Sequence, residues 1–181
     1  MKYDKNKYFK IIDDGKLKTS EIIDQMRKQF PIYFYDEENA DKNFPAPKNK
    51  TIRYFKKVVE ADEENANKSA DDLRDVAGIT LRERLIMEMQ YFSETGKHLD
   101  IENWTLCSGS RYADGSVPCA DWDPTHGRFE VDWTNHGDRD AHLRFRVAVS
   151  LSPSSSNPSE MSIETAIEMV KKEGYKVIKI I

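Results

Sequence analysis

The sequence predicts an α+β protein in which an antiparallel β-meander packs on a helix, flanked by an N-terminal α/β lobe and a C-terminal helix-strand unit. Three observations carry this. Thr80 and Glu83 spell a capping box ahead of apolar Leu81, Leu85, Met89 and Phe92 at helical spacing, with Gly96 as a stop. After Leu99 the period changes to two, in runs over 104–107, 117–122, 128–133 and 141–149 separated by Gly- and Asp-containing turns. The chain has 181 residues, enough to bury a core without disulfides. The expected division is a lobe with an acidic connection over 1–75, helix plus meander over 76–151, and a linker with a terminal helix-strand over 152–181.

The elements follow in order. Residues 8–12 read as a strand, Asp13-Asp14-Gly15 as a turn and 16–18 as a return strand. Ser20 is placed as the N-cap of a helix bearing Ile22, Ile23, Met26 and Phe30, which Pro31 ends. Residues 32–35 are β-prone, Pro45 and Pro47 mark a loop, and periodicity leaves 51–59 open between helix and strand. The polar, acidic stretch 60–68 reads as an exposed connection, and Ser69 as the cap of a short helix.

In the meander, alternation puts Phe129, Val131 and Trp133 with Leu143, Phe145, Val147 and Val149 on the face packed against the Thr80 helix. Arg128, Glu130, Asp132, His142, Arg144 and Arg146 then share the opposite face. Ser152-Pro-Ser-Ser-Ser-Asn-Pro-Ser159 reads as a linker, Ser162 as the cap of a helix carrying Ile163, Ile167 and Val170, and 175–181 as a closing strand.

All four histidines, all three tryptophans and both cysteines fall between His98 and His142, which locates the chemistry better than it names a reaction. His136, His142, Arg144 and Arg146 are the candidate catalytic set. Cleaving a phosphodiester requires a base near neutral pKa and cations against the charge developing on phosphate, and in RNA the internal 2′-hydroxyl serves as nucleophile without a metal. Cross-strand ion pairing explains the same arginines beside Glu130 and Asp132 equally well.

A second set, Arg53, Tyr54, Lys56 and Lys57, interleaves cations that neutralise phosphate with rings that stack on bases; the same letters fit an amphipathic element burying Ile52, Phe55 and Val59. Arg111 sits in a loop of small residues, Cys107-Ser-Gly-Ser-Arg-Tyr-Ala-Asp-Gly-Ser, which suits a phosphate cradle, while Asp114-Gly115 also makes an ordinary hairpin turn.

Cys107, Cys119, His126, His136 and His142 lack any paired ligand spacing, so no metal and no cofactor is expected and the cysteines read as free thiols. No stretch approaches the roughly 18 apolar residues of a membrane span, and the start lacks a signal peptide's apolar core, so the expected location is cytoplasmic with no membrane contact. A net charge of -4 gives no global attraction to nucleic acid and leaves local patches to supply it.

The block Ile79-Thr-Leu-Arg-Glu-Arg-Leu-Ile-Met-Glu-Met-Gln-Tyr-Phe-Ser-Glu-Thr-Gly-Lys-His-Leu-Asp100, continued by Asn103-Trp-Thr-Leu-Cys-Ser-Gly-Ser-Arg-Tyr-Ala-Asp-Gly-Ser-Val-Pro118, covers about a fifth of the chain. It resembles a segment of uncharacterised proteins from Gram-positive bacteria and their phages and plasmids, some of which look like type II anti-CRISPR inhibitors. The resemblance implies a mobile-element inhibitor whose partner is a nucleoprotein effector or its guide RNA, acting by cleavage, as a ribonuclease, or by masking. It defines no active-site residues. A noncatalytic protein-interaction module using exposed aromatics and the acidic connection is the alternative, and a metal-dependent hydrolase the third.

Overall fold

A computed structural model describes residues 3–150. The linker expected over 152–159, the helix from Ser162 and the strand over 175–181 lie outside the described residues.

Strand β1 (Tyr8–Asp13) leads through Gly15, which adopts φ +70°, into helix α1 (Thr19–Arg27). The return strand expected over 16–18 does not form, because β1 finds its antiparallel partner far along the chain. Helix α1 starts one residue before the expected cap: Lys18 is the N-cap, its N–H donating to Glu21 Oε2 at 2.7 Å, while Ser20 binds Asp41. Ile22, Ile23 and Met26 form its buried face as the spacing predicts.

Next come β2 (Ile32–Phe34), the single turn α2 (Ala40–Asn43) and β3 (Thr51–Lys56). The last settles the open segment as strand: it pairs with β1 from Tyr8↔Lys56 to Asp13↔Thr51, turning Phe55 inward opposite Phe9. Ser69 and Asp72 exchange hydrogen bonds as a cap would, but they close one turn and no helix follows.

Helix α3 (Leu81–Thr95) begins as expected. Thr80 Oγ1 accepts from the Glu83 N–H, Glu83 Oε2 accepts from the Thr80 N–H, and Gly96 closes the helix at φ +67°. Leu81, Leu85 and Met87 are buried, each apolar side chain contributing roughly 1.5–3 kcal/mol. So, against expectation, are Arg82, Arg84 and Glu88. Arg84, fully buried, reaches Glu88 at 2.7 Å and Asp100 at 3.0 Å; Asp100 in turn holds Arg146 at 2.6 Å. His98 Nδ1 meets Glu88 at 2.8 Å, and its ring stacks on Trp122. Burial opposes the charge on Arg84, but Asp100 and Glu88 more than offset it and raise its pKa.

The remaining strands are β4 (Trp104–Leu106), β5 (Val117–Asp123), β6 (Arg128–Thr134) and β7 (Leu143–Arg144). They join β2 in a sheet of order β2-β6-β5-β4-β7. The β4-β5-β6 segment is the antiparallel meander, and the α+β architecture is as the sequence predicts.

Both edges differ from a simple meander: β2 adds in parallel to β6, and β7 lies in parallel beside β4 instead of next to β6. The register Thr105↔Arg144 turns the even-numbered residues of the last strand toward the side where Thr105 is buried, and Leu143 toward the other. Arg144 and Arg146 therefore do not share a face with Glu130 and Asp132, which corrects the alternation argument. Phe129 and Val131 enter the core as expected, whereas Trp133 is 42% exposed beside Tyr35.

Residues Asp4–Ser150 form one compact unit, and its main cluster draws Phe9, Ile23 and Phe34 together with Leu85, Phe129 and Val131. The boundary expected at residue 75 thus runs through a shared core.

Candidate anion-binding site

Arg53 and Arg111, far apart in sequence, meet at one cavity of about 350 Å³. Its walls come from the end of β1, β3, the N-terminus of α3, the loop through Phe44, Pro45 and Pro47, and the turn Gly109-Ser110-Arg111. Alternation in β3 puts Arg53 on the same face as buried Phe55, its guanidinium 5.2 Å from that ring's centroid, and Arg53 is half-buried at the cavity. There its Nη1 binds Glu83 at 2.8 Å and its Nη2 donates to the carbonyls of Ala77 and Gly78. Arg82 reaches the cavity from α3 with its fork closed on Asp13, at 2.7 and 2.8 Å.

The turn carrying Arg111 is tied to the start of α3. Gly109 N–H donates to Ile79 O, and Ser110 Oγ accepts from Leu81 N–H at 2.9 Å. Two glycines permit this approach: a Cβ on Gly78 would stand 1.8 Å from Ser108 Oγ, and one on Gly109 2.8 Å from Gly78 O. Arg111 Nη1 donates to the carbonyls of Ser108 and Ser110, and the guanidinium makes no ion pair among the described residues.

The charges therefore do not balance. Asp13 is matched by Arg82 and Glu83 by Arg53, whereas Arg111 has no direct carboxylate partner among the described residues; burial lowers its pKa, with the more distant Asp71 opposing that shift. A partly desolvated cation beside Ser110 and an apolar wall favours an anion over water. Lys48 and Lys50, exposed on the loop between Pro47 and Thr51, add positive charge nearby.

The other candidates from the basic run do not join the cavity. Lys56 is paired with Glu64 and Asp62, and Lys57 with Glu94 at 2.7 Å, so these cations are spent on local ion pairs. Tyr54 is half-buried on β3, opposite Lys10, its carbonyl accepting from Val149 N–H.

The four candidate catalytic residues are bonded elsewhere. His136 is exposed and binds Asp71 at 2.6 Å; Arg74 and His136 hold that carboxyl below its ordinary value. His142 is exposed in the turn before β7, its N–H bonded to Asp140. Arg144 is half-buried with its Nε unbonded. Arg146 is 2% exposed and binds Asp100, Thr105 and the Val58 and Val59 carbonyls. Its expected place on an open face is corrected: β7 beside β4 points it into the ionic interior. No hydrogen bond or ion pair links these four among the described residues.

The sequence reading missed an acidic patch on the outer side of β5 and β6. Asp121 lies opposite Glu130, and burial, reinforced by that carboxylate, pushes its pKa up to about 7. Ligand atoms of Asp123, His126 and Glu130 lie within 4.8 Å of one another, with His126 bonded to Asp123 and Arg128 to Glu130. The signal is the turn Asp123-Pro-Thr-His126 combined with the β5–β6 register, whereas the sequence alone sets His126 beside Cys107, Cys119, His136 and His142. Cys107 and Cys119 are free and buried, and burial raises both thiols, Cys119 to about 12, which suppresses the reactive thiolate.

No helix among the described residues is long and apolar enough to cross a membrane. The chain matches no family model, no curated protein and no solved structure.

Proposed function

We propose that the chain is a mobile-element inhibitor of a host nucleoprotein defence complex, anti-CRISPR-like, that masks RNA instead of cleaving it. The observation carrying this reading is the convergence of Arg53, Arg82 and Arg111 on one cavity in which only Arg111 lacks a carboxylate partner. An RNA phosphate supplies the missing charge through charge-assisted hydrogen bonds to the free side of the guanidinium. Masking is favoured over cleavage because Arg146 is buried on Asp100 and, among the described residues, no hydrogen bond or ion pair joins His136, His142, Arg144 and Arg146 into one set.

The test incubates the full chain with labelled single-stranded RNA, with and without an RNA-guided nuclease. The expected result is bound, full-length RNA, reduced nuclease activity, and RNA binding about tenfold weaker in Arg111→Ala, the usual scale for one charged contact. RNA fragments would restore the cleavage reading. Absence of binding to RNA, effector or their complex, with effector activity unchanged, overturns the proposal.

A second reading, a noncatalytic module that docks on a basic protein surface, draws on exposed Tyr33, which lies opposite Glu130 on the face that also carries Asp121, Asp123 and Asp132. It predicts effector binding without RNA, insensitive to Arg111→Ala.

A further inference from the structure

The cavity holds an acceptor that a bare anion does not use. Glu83 is 4% exposed, and its Oε2 takes Arg53 Nη1, the Thr80 N–H and the Thr80 hydroxyl. Its Oε1 carries no hydrogen bond among the described residues. Nor is it sealed and unbonded in the way that Ser108 Oγ, Tyr112 Oη and Arg144 Nε are. The cavity wall therefore presents two opposite demands: Arg111 calls for an anion, and Glu83 Oε1 calls for a hydroxyl or N–H donor. A phosphodiester group alone satisfies the first and, having no donor, leaves the second unmet. A ligand that satisfies both carries negative charge and a donor on one small frame.

We infer that the site takes a ribonucleotide unit, with its phosphate on Arg111 and its ribose 2′-hydroxyl donating to Glu83 Oε1, in preference to a deoxyribonucleotide unit. This rests on the RNA-masking reading and names what that site recognises. A ribose places the hydroxyl donor on the carbon next to the one bearing the 3′-phosphate, and a deoxyribose lacks it; a buried carboxylate accepting from ribose hydroxyl is a recurrent way to read that sugar. At about 350 Å³ the cavity is at the small end of ligand pockets, so phosphate and sugar fill it while the base lies toward the mouth, against the rings of Pro45 and Pro47. Recognition through the sugar leaves the base unread, which suits an inhibitor that must mask RNA of any sequence.

The experiment varies the ligand and leaves the fold untouched. Binding of the full chain is measured by fluorescence anisotropy, at one salt concentration, with labelled oligouridylate, its 2′-fluoro analogue and oligodeoxyuridylate. The 2′-fluoro strand keeps the sugar pucker and size of RNA but has no hydroxyl hydrogen. The expected result is an affinity about tenfold weaker for both the 2′-fluoro and the deoxy strand, the lower end of the effect of one hydrogen bond to a charged group. Arg111→Ala, checked for folding by circular dichroism, weakens all three and preserves their ratio. Equal affinity for all three strands, still reduced by Arg111→Ala, overturns the 2′-hydroxyl inference and leaves RNA masking standing. A deoxy strand that binds weakly while the 2′-fluoro strand binds like RNA also overturns it, since pucker then decides. No binding of any strand overturns both.

Discussion

Asp121 and Arg146 show how neighbours decide what an ionisable side chain does. Arg146 is a charge placed indoors and answered by Asp100, so removing Asp100 would strand Arg146 in the core at roughly 3–5 kcal/mol, whereas Asp100 keeps Arg84 when Arg146 is removed. Asp121 is half-buried, with Glu130 as its cross-strand neighbour, and its pKa rises from 3.8 to about 7. Between these values the folded chain binds more protons at this site than the unfolded chain does, so its contribution to stability falls as pH rises from about 4 to 7. Asp121→Asn removes that dependence. Urea unfolding should find the variant more stable than the parent at pH 8, by about 1–2 kcal/mol after solvent screening, and similar at pH 4. Equal pH profiles for the two chains would show that Asp121 is not perturbed. None of this could be read from the sequence, because charged residues are expected outside, and alternation assigns a face without saying what covers it.

Helix α3 and the turn that supports it show which local signals suffice. The capping box at Thr80 and Glu83 and the stop at Gly96 involve residues within a few positions of one another, so the sequence contained the whole of that helix's punctuation. It did not contain the close approach of Gly78 to Ser108, which belongs to two segments joined only by folding. Gly78→Ala therefore forces Ser108, and the turn holding Arg111, away from α3. The expected outcome is a loss of about 1–3 kcal/mol in chemical unfolding together with weaker RNA binding, whereas Gly96→Ala costs stability alone. Arg53 and Arg111 each read as candidate phosphate ligands from their surroundings in sequence. Their convergence was not legible there, since nothing local pairs β3 with β1 or docks residue 109 on residue 79. The misplacement of β7 has the same origin: period two fixes which residues face together, not which strand stands beside them.

Taken whole, the chain carries a net charge of -4, and on the proposed reading it meets RNA with one small basic site, so few counterions would leave the nucleic acid on binding. With Arg111 and one or two of Lys48 and Lys50 engaged, the log–log slope of RNA affinity against salt should be between about -1.4 and -2.1, and Arg111→Ala should flatten it by about 0.7. A steeper slope would require a basic surface other than this cavity. The sheet that supports the site also dictates an order of events. Ile32 of β2 pairs with Phe129 of β6, so the strand made early is completed only by one made almost a hundred residues later. Closing so long a loop is slow compared with forming a hairpin, and during synthesis β2 waits on the ribosome with its edge unpaired while helices α1 and α3 take shape. A nascent chain arrested before β6 emerges would expose Ile32, Tyr33 and Phe34 to any passing strand, making that interval the one in which a chaperone has most to protect.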